Sequence, residues 1–233
     1  MLTFCSDRQK AHAPQHELVN GGPMDHAETP ARLDSMLAGL LAPRVPEDHG
    51  TAAILAVHDP AYVAFLETAH NEWLEADRSG DAIGYAFPVR ARRPLLLERI
   101  DARLGHYSFD TVTPIAAGTW EAAYWSAQSA LSALAAIASG EVRNAFALCR
   151  PPGHHAGRDY FGGYCYLNNA AIAARAAEAQ GLGPVAVLDI DYHHGNGTQQ
   201  IFAARPDVCF VSIHADPLDE YPYFLGHADE RGT

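Results

Sequence analysis

The stretch VAVLDIDYHHGNGTQQIF, residues 185–202, decides how this chain is read. It opens with an apolar run, VAVLDI, of the kind expected for a strand covered on both faces of a parallel sheet. Carboxylates, imidazoles and glycines follow at once. If extended geometry persists past the strand, Asp189, Asp191 and His193 share one face while Ile190 and Tyr192 point the other way. Two carboxylates and an imidazole meeting at a strand end cost too much desolvation to be ordinary core. They are also oxygen and nitrogen donors suited to zinc. Aspartates acting as caps would produce the same Asp-x-His pair, so the pair alone leaves both readings open.

Two further strand ends carry polar groups. Upstream, AFALC (145–149) runs into RPPGHHAG, setting His154 and His155 just past its end. Pro151, Pro152 and Gly153 stiffen and turn the backbone there, which suits imidazoles that must be held; a solvated loop pair is the plainer alternative. Gly157, Gly162 and Gly163 let backbone approach a ligand closely. The interleaved Tyr160, Phe161, Tyr164 and Tyr166 suit either core packing or a narrow apolar channel. Downstream, VCFVSI (208–213) runs into His214, Asp216 and Pro217. A helix from about Asn168 to Gln180 and a second, short helix separate the three strands. This order predicts an α/β fold with a mainly parallel sheet between two helical layers, and a ligand crevice beyond the C-terminal strand ends.

The flanks fit one α/β domain spanning all 233 residues. LTFC at the N-terminus and ILAV (54–57) read as strands, with a polar loop rich in His, Pro and Gly after the first. Thr29-Pro30 opens a helix with Leu33, Met36, Leu37, Leu40 and Leu41 on one face. Pro60 opens another, with Tyr62, Phe65, Leu66, Trp73 and Leu74 along one stripe, and an alanine-rich helix runs from Gly118 to Ala138. From Arg78 to Pro114 the periodicity weakens, which reads as a long insertion loop with a short helix near 95–104.

Composition narrows the partners. With 16 Lys and Arg against 28 Asp and Glu the net charge is −12. That argues against nucleic acid, which needs clustered cations; the densest basic run is Arg90, Arg92 and Arg93. An acidic surface steers cationic substrates or simply keeps the chain soluble. No segment is apolar and long enough for a membrane span, and the N-terminus has no apolar signal core. Cys5, Cys149, Cys165 and Cys209 form no CxxC pair and sit in apolar stretches, as reduced, buried thiols of a cytoplasmic protein would.

RPPGHHAGRDYFGGYCYLNNAA followed by LDIDYHHGNGTQQIF resembles the histone deacetylase superfamily, whose fold is shared with arginase. Similarity continues through HDPAYVAFLETAHNEW, SGDAIGYAFPVR, AGTWEAA and YFLGHADE, segments that look most like acetylpolyamine amidohydrolases. The resemblance implies a zinc-dependent hydrolase that removes acetyl groups from acetylated amines or acetyl-lysine by metal-activated water. Asp191 and His193 would be zinc ligands, with ferrous iron the alternative metal in the cell. His154 and His155 would be the paired catalytic histidines, His155 acting as general base and then acid. Asp189 would orient His154, and Asn196 would orient His155. A structural potassium ion would involve Asp189, Asp191, His193, Ser212 and Ile213. Gly163 and Tyr164 would form the substrate tunnel. Glu17, Asp81, Glu98 and Asp101 are acidic groups that could meet a polyamine or remain solvated. The segment 78–114 would narrow the site of a second subunit, implying a homodimer.

Family members carry a further zinc-binding Asp and a Tyr that donates to the oxyanion, and no residue of this chain matches either. The chain therefore reads as a deacetylase domain lacking its C-terminal strands. Two other readings stay open. One is a binuclear manganese ureohydrolase resembling arginase, although Gly195 stands where its Asp-x-His-x-Asp run needs the last Asp. The other is a catalytically incomplete, non-catalytic binder of acetylated ligands.

Overall fold

In the computed structural model, which describes residues 1–39, 42–89 and 95–232, three two-stranded pieces of sheet carry the chain. β1 (Leu2–Phe4) pairs in parallel with β4 (Ala145–Ala147), and β5 (Val185–Asp189) pairs in parallel with β6 (Val208–Ser212). β2 (His16–Val19) and β3 (Gly22–Asp25) make an antiparallel hairpin. The helices are α1 (Pro30–Leu37), α2 (Ala52–Leu55), α3 (Pro60–Glu75), α4 (Ile100–Tyr107), α5 (Thr119–Ala138), α6 (Asn169–Ala179) and α7 (Asn196–Phe202). The chain is thus α/β with parallel strands, as the apolar runs predict. β4 leads into the His154–His155 loop, and β5 into the Asp189–Asn196 loop.

Local chemistry explains the helix starts. The Asp59 carboxylate accepts the Ala61 N–H at 2.9 Å ahead of Pro60, and the Asn168 carboxamide accepts the Ala171 N–H at 3.0 Å ahead of α6. Thr29 holds the cap position of α1 without making a side-chain bond. The small side chains of α5, among them Ala123, Ala127 and Ala130, let α6 pack closely against it. Tyr62, Phe65, Leu104, Ile115, Phe161 and Ile172 form the main core beneath them. Each contributes about 1.5–3 kcal/mol by leaving water.

Four expectations change. ILAV is not a strand: residues 52–55 form α2, and Ile54, Val57 and His58 are buried at helical spacing. The polar loop after β1 contains a hairpin, turned at Asn20 and Gly21, both with positive φ (52° and 80°). An Asn-Gly pair favours this turn because both positions tolerate left-handed backbone. The short helix of the 78–114 segment is α4, shifted to Ile100–Tyr107, and Ala82 bridges Ile115 across the base of the segment. Cys209 is exposed on β6 rather than buried. Leu40, Leu41 and the run Arg90, Arg92 and Arg93 lie outside the described residues. No helix among the described residues is long and apolar enough to cross a membrane.

Candidate active site

The two polar loops meet. His154 Nδ1 lies 2.9 Å from Asp189 Oδ2, and His155 Nδ1 lies 2.6 Å from Asn196 Oδ1. The two imidazole rings sit side by side, 4.0 Å between centroids. A carboxylate only accepts, so the bond to Asp189 puts the proton on His154 Nδ1; with the carboxamide oxygen of Asn196 as acceptor, the same holds for His155. Both Nε2 atoms are left for chemistry. Burial, and then the neighbouring His154, pull His155 well below the ordinary imidazole range, so it is neutral at pH 7. Burial pushes Asp189 up, but the bond to His154 and its charge, with the Asp191 N–H, outweigh it and hold the carboxyl below its usual value.

Asp191 and His193 hang from a chain of local turns. The Asp191 N–H donates to Asp189 Oδ1 at 3.0 Å, and the His193 N–H donates to Asp191 Oδ1 at 2.8 Å. These bonds bend the chain after β5 but keep the alternation: Ile190 and Tyr192 turn outwards and are exposed. His193 Nδ1 stands 3.5 Å from Asp191 Oδ1, and His154 Nε2 stands 3.9 Å from the same oxygen. A separation of roughly 3.3 Å is expected between two donors on one tetrahedral zinc ion with 2.0 Å bonds. The pair therefore fits a zinc ion as two of its ligands, with 52% and 40% of the side chains exposed. Ser212 pairs with Asp189 across the strands, and the Ile213 N–H donates to the Asp189 carbonyl at 2.9 Å. All five residues expected around potassium therefore gather at one end of β5 and β6.

Gly163 and Tyr164 form one wall of a cleft of about 410 Å³ that also contains His154, His155, Asp191 and His193. Gly163 has φ +54°, and a Cβ there would lie 2.1 Å from the His155 ring, so only glycine fits. Its N–H donates to Asp110 Oδ2 at 2.6 Å, and Tyr221 donates its hydroxyl to the same oxygen at 2.8 Å. The Tyr221 ring stands edge-on to His155, 5.1 Å between centroids, and forms another wall. Sequence reasoning singled out neither Tyr221 nor Asp110. The Tyr-Pro-Tyr-Phe run after the third strand was the available signal for the first; a lone Asp in an aperiodic segment offered none for the second.

Glu17 is not at an open mouth. It is buried behind Tyr164, accepting the phenol hydroxyl at 3.0 Å on one oxygen, with His26 Nδ1 2.9 Å from the other. Asp101 is also buried and is paired with Arg78 and Arg99, Asp81 accepts the Gln15 N–H, and Glu98 is exposed. Beside Glu17, His12, His26 and Glu28 bring one donor atom each within 4.8 Å of one another, all buried. This set escaped sequence reasoning. It is chemically able to hold a cation, but the Arg150 guanidinium on Glu28 Oε1 at 3.0 Å opposes one. Gly195 bears on the binuclear reading: a Cβ there would lie 2.3 Å from Asp189 Oδ2, where Asp189 binds His154. A ligating side chain at that position would break the histidine's support.

The model of the histone deacetylase domain matches residues 26–233. The whole chain is 52% identical to acetylpolyamine amidohydrolase 2 of Pseudomonas aeruginosa and 44% identical to the acetylpolyamine amidohydrolase of Mycoplana ramosa, spanning 69% of each. Its structure superposes over its full length on that of the acetylpolyamine aminohydrolase from Burkholderia pseudomallei, with a TM-score of 0.91 and 47% identity over 68% of that chain. The HDA15 HD domain follows at 0.73 and 28%, covering 58% of that chain. With the site's geometry, these likenesses assign the fold and the lineage together: the chain belongs to the histone deacetylase family.

Proposed function

We propose that this chain carries the site of a metal-dependent amidohydrolase that removes acetyl groups from acetylated amines, polyamines first among them. The observation that carries the reading is the pair of adjacent imidazoles, each held at Nδ1 by its own acceptor, facing the Asp191–His193 donors. Zinc would be held by Asp191 and His193, with iron as the alternative in the cell, and when bound it supplies Lewis acidity towards the amide carbonyl and a water of lowered pKa. His155, neutral because it is buried, takes a proton from the attacking water at Nε2 and returns it to the leaving amine. His154, tied to Asp189, is held beside it in a fixed orientation. Tyr164 and Tyr221 flank the acyl chain, and Gly163 leaves it room. Asp189, Asp191, His193, Ser212 and Ile213 would surround potassium.

The cationic class of substrate is supported by the names of the 52% and 44% identical relatives and by the net charge of −12. A homodimer is supported by the apolar surface of the 78–114 segment, where Tyr85, Val89 and Leu96 are exposed. The four free cysteines support a cytoplasmic setting.

The test is acetate release from acetylputrescine, acetylspermidine and an acetyl-lysine peptide, with zinc added, by the chain and by His155→Ala. Zinc-dependent release that falls on the order of a hundred- to ten-thousand-fold in the variant is expected. Binding of the acetylated amine with no release by either protein would favour the non-catalytic binder.

A further inference from the structure

One carboxylate stands behind two walls of the cleft. Asp110 Oδ2 accepts the Gly163 N–H at 2.6 Å and the Tyr221 hydroxyl at 2.8 Å, and its Oδ1 accepts the Val112 N–H at 3.2 Å. The Thr113 hydroxyl is a further donor to it, and the same hydroxyl oxygen accepts the Tyr164 N–H at 3.0 Å. Consecutive amides of one wall are thus held by the segment 110–113. That segment is pinned in turn: the Ser108 hydroxyl donates to the Asp110 carbonyl at 2.8 Å, and the Phe109 N–H donates to the Phe161 carbonyl at 3.2 Å. Burial pushes the Asp110 carboxyl up, against the bonds from Gly163, Tyr221, Thr113 and Val112. Bonds to a carboxylate are the stronger kind, and a low local dielectric strengthens them further.

Tyr221 belongs to the walls of two clefts. One is the cleft of about 410 Å³ with His155, Asp191 and His193; the other, of about 800 Å³, is walled by Phe87, Phe109, Tyr160 and Phe224. The Tyr221 ring stacks on Phe109, 5.9 Å between centroids and 23° between planes. It meets His155 and His193 nearly at right angles, at 5.1 and 5.9 Å. The stack sets the plane of the ring but lets it slide; the hydroxyl bond to Asp110 fixes its far end.

We propose that Asp110 is a positioning residue that latches Tyr221 at the boundary between the two clefts and so makes the smaller one selective for amides of unbranched amines. One carboxylate oxygen holds both the Gly163 amide and the Tyr221 hydroxyl, so the two walls keep a fixed spacing. With the latch released, the ring slides along Phe109 and the two spaces join. A bulkier amine, aromatic or branched next to its nitrogen, then finds room in the larger cleft, whose aromatic walls suit it. The discrimination arises from what the latched ring excludes. The inference rests on the proposed function for the identity of the substrate; the latch itself does not.

The test compares acetylputrescine with N-acetylbenzylamine in the full chain with zinc added, by acetate release and by titration calorimetry. The variants are Tyr221→Phe, which removes the latch and keeps the ring, Asp110→Asn, and the two combined. Each single change should lower the preference for acetylputrescine about tenfold, through KM rather than kcat, and the pair should do little more than Asp110→Asn alone. A merely structural Asp110 would depress both substrates alike; an unchanged preference in both single variants overturns the inference. If Asp110→Asn misfolds, Tyr221→Phe alone decides the preference. A second reading needs no substrate: the fluorine resonance of a 3-fluorotyrosine label at position 221 should move towards that of exposed tyrosine in Asp110→Asn, and an unmoved resonance contradicts the latch. Binding whose preference shifts, with no acetate released by any form, keeps the inference and removes the proposed function. Release with an unaltered preference does the reverse, and the fluorine signal decides if neither amide binds.

Discussion

The two loops that build the site are held in opposite ways. The loop after β4 is locked: Arg150 is fully buried, its side chain donates to Glu28 Oε1 and to the carbonyls of Gln9, His12 and Glu28, and its backbone N–H donates to Gln9 Oε1. His155, five residues on, is buried with its partner Asn196. The loop after β5 carries Asp191 and His193 half in water, stabilised by turn bonds between near neighbours. The histidine half is therefore built into the core. On the proposed function, rigidity would sit where the reaction needs a fixed base, and compliance where a bound metal would supply the order.

This contrast predicts a graded response to substitution. The largest effect belongs to Arg150→Met, which leaves the buried Glu28 carboxylate with only the exposed Arg32, 3.6 Å away, and strands three carbonyls. About 3–5 kcal/mol of stability should be lost in urea unfolding. A loss under about 1 kcal/mol would show that the loop is held by something else.

Next comes pH. His58, buried beneath the same loop, has Nδ1 2.9 Å from the Gly157 carbonyl and accepts the Asn168 N–H on Nε2 at 2.9 Å. Burial drops its pKa to about 4, against bonds to Gly157 and Arg158 that pull it up. The unfolded imidazole, near 6.5, binds a proton first as pH falls. Stability from this group is therefore full above about pH 6.5 and is lost progressively down to about pH 4, amounting to about 3 kcal/mol. His58→Gln should flatten that slope; an unchanged slope assigns it to other groups.

Gly163→Ala should cost about 1–3 kcal/mol, from positive φ and from the clash with the His155 ring, and should lower acetate release as well. The smallest effect is expected at the soft loop. His193→Ala in metal-free protein should change stability by less than about 0.5 kcal/mol. A large loss there would erase the contrast between the loops.

The same contrast marks what could be read from sequence. Strand ends loaded with Asp and His announce themselves because such groups are rare at the end of an apolar run, so β4, β5, β6 and their loops were legible. The pairing of His154 with Asp189 followed once the family resemblance was in view. ILAV misled because four apolar residues fit a strand or a helical turn alike; burial at 54, 57 and 58 needed the neighbouring α6 to decide it. Asp110, and the place of Glu17 behind Tyr164, were hidden for a different reason. Their roles come from contacts over 53 residues to Gly163 and 147 residues to Tyr164, and no local pattern encodes a partner that far along the chain.

Zinc binding by the full chain, measured by titration calorimetry with X-ray absorption of the bound ion, addresses the central claim most directly. The expected result is one zinc ion with nitrogen and oxygen ligands in the unaltered chain, lost in Asp191→Ala/His193→Ala and kept in His12→Gln. Zinc retained in the double variant but lost in His12→Gln would move the metal to the buried His12–His26–Glu28 set and contradict the account.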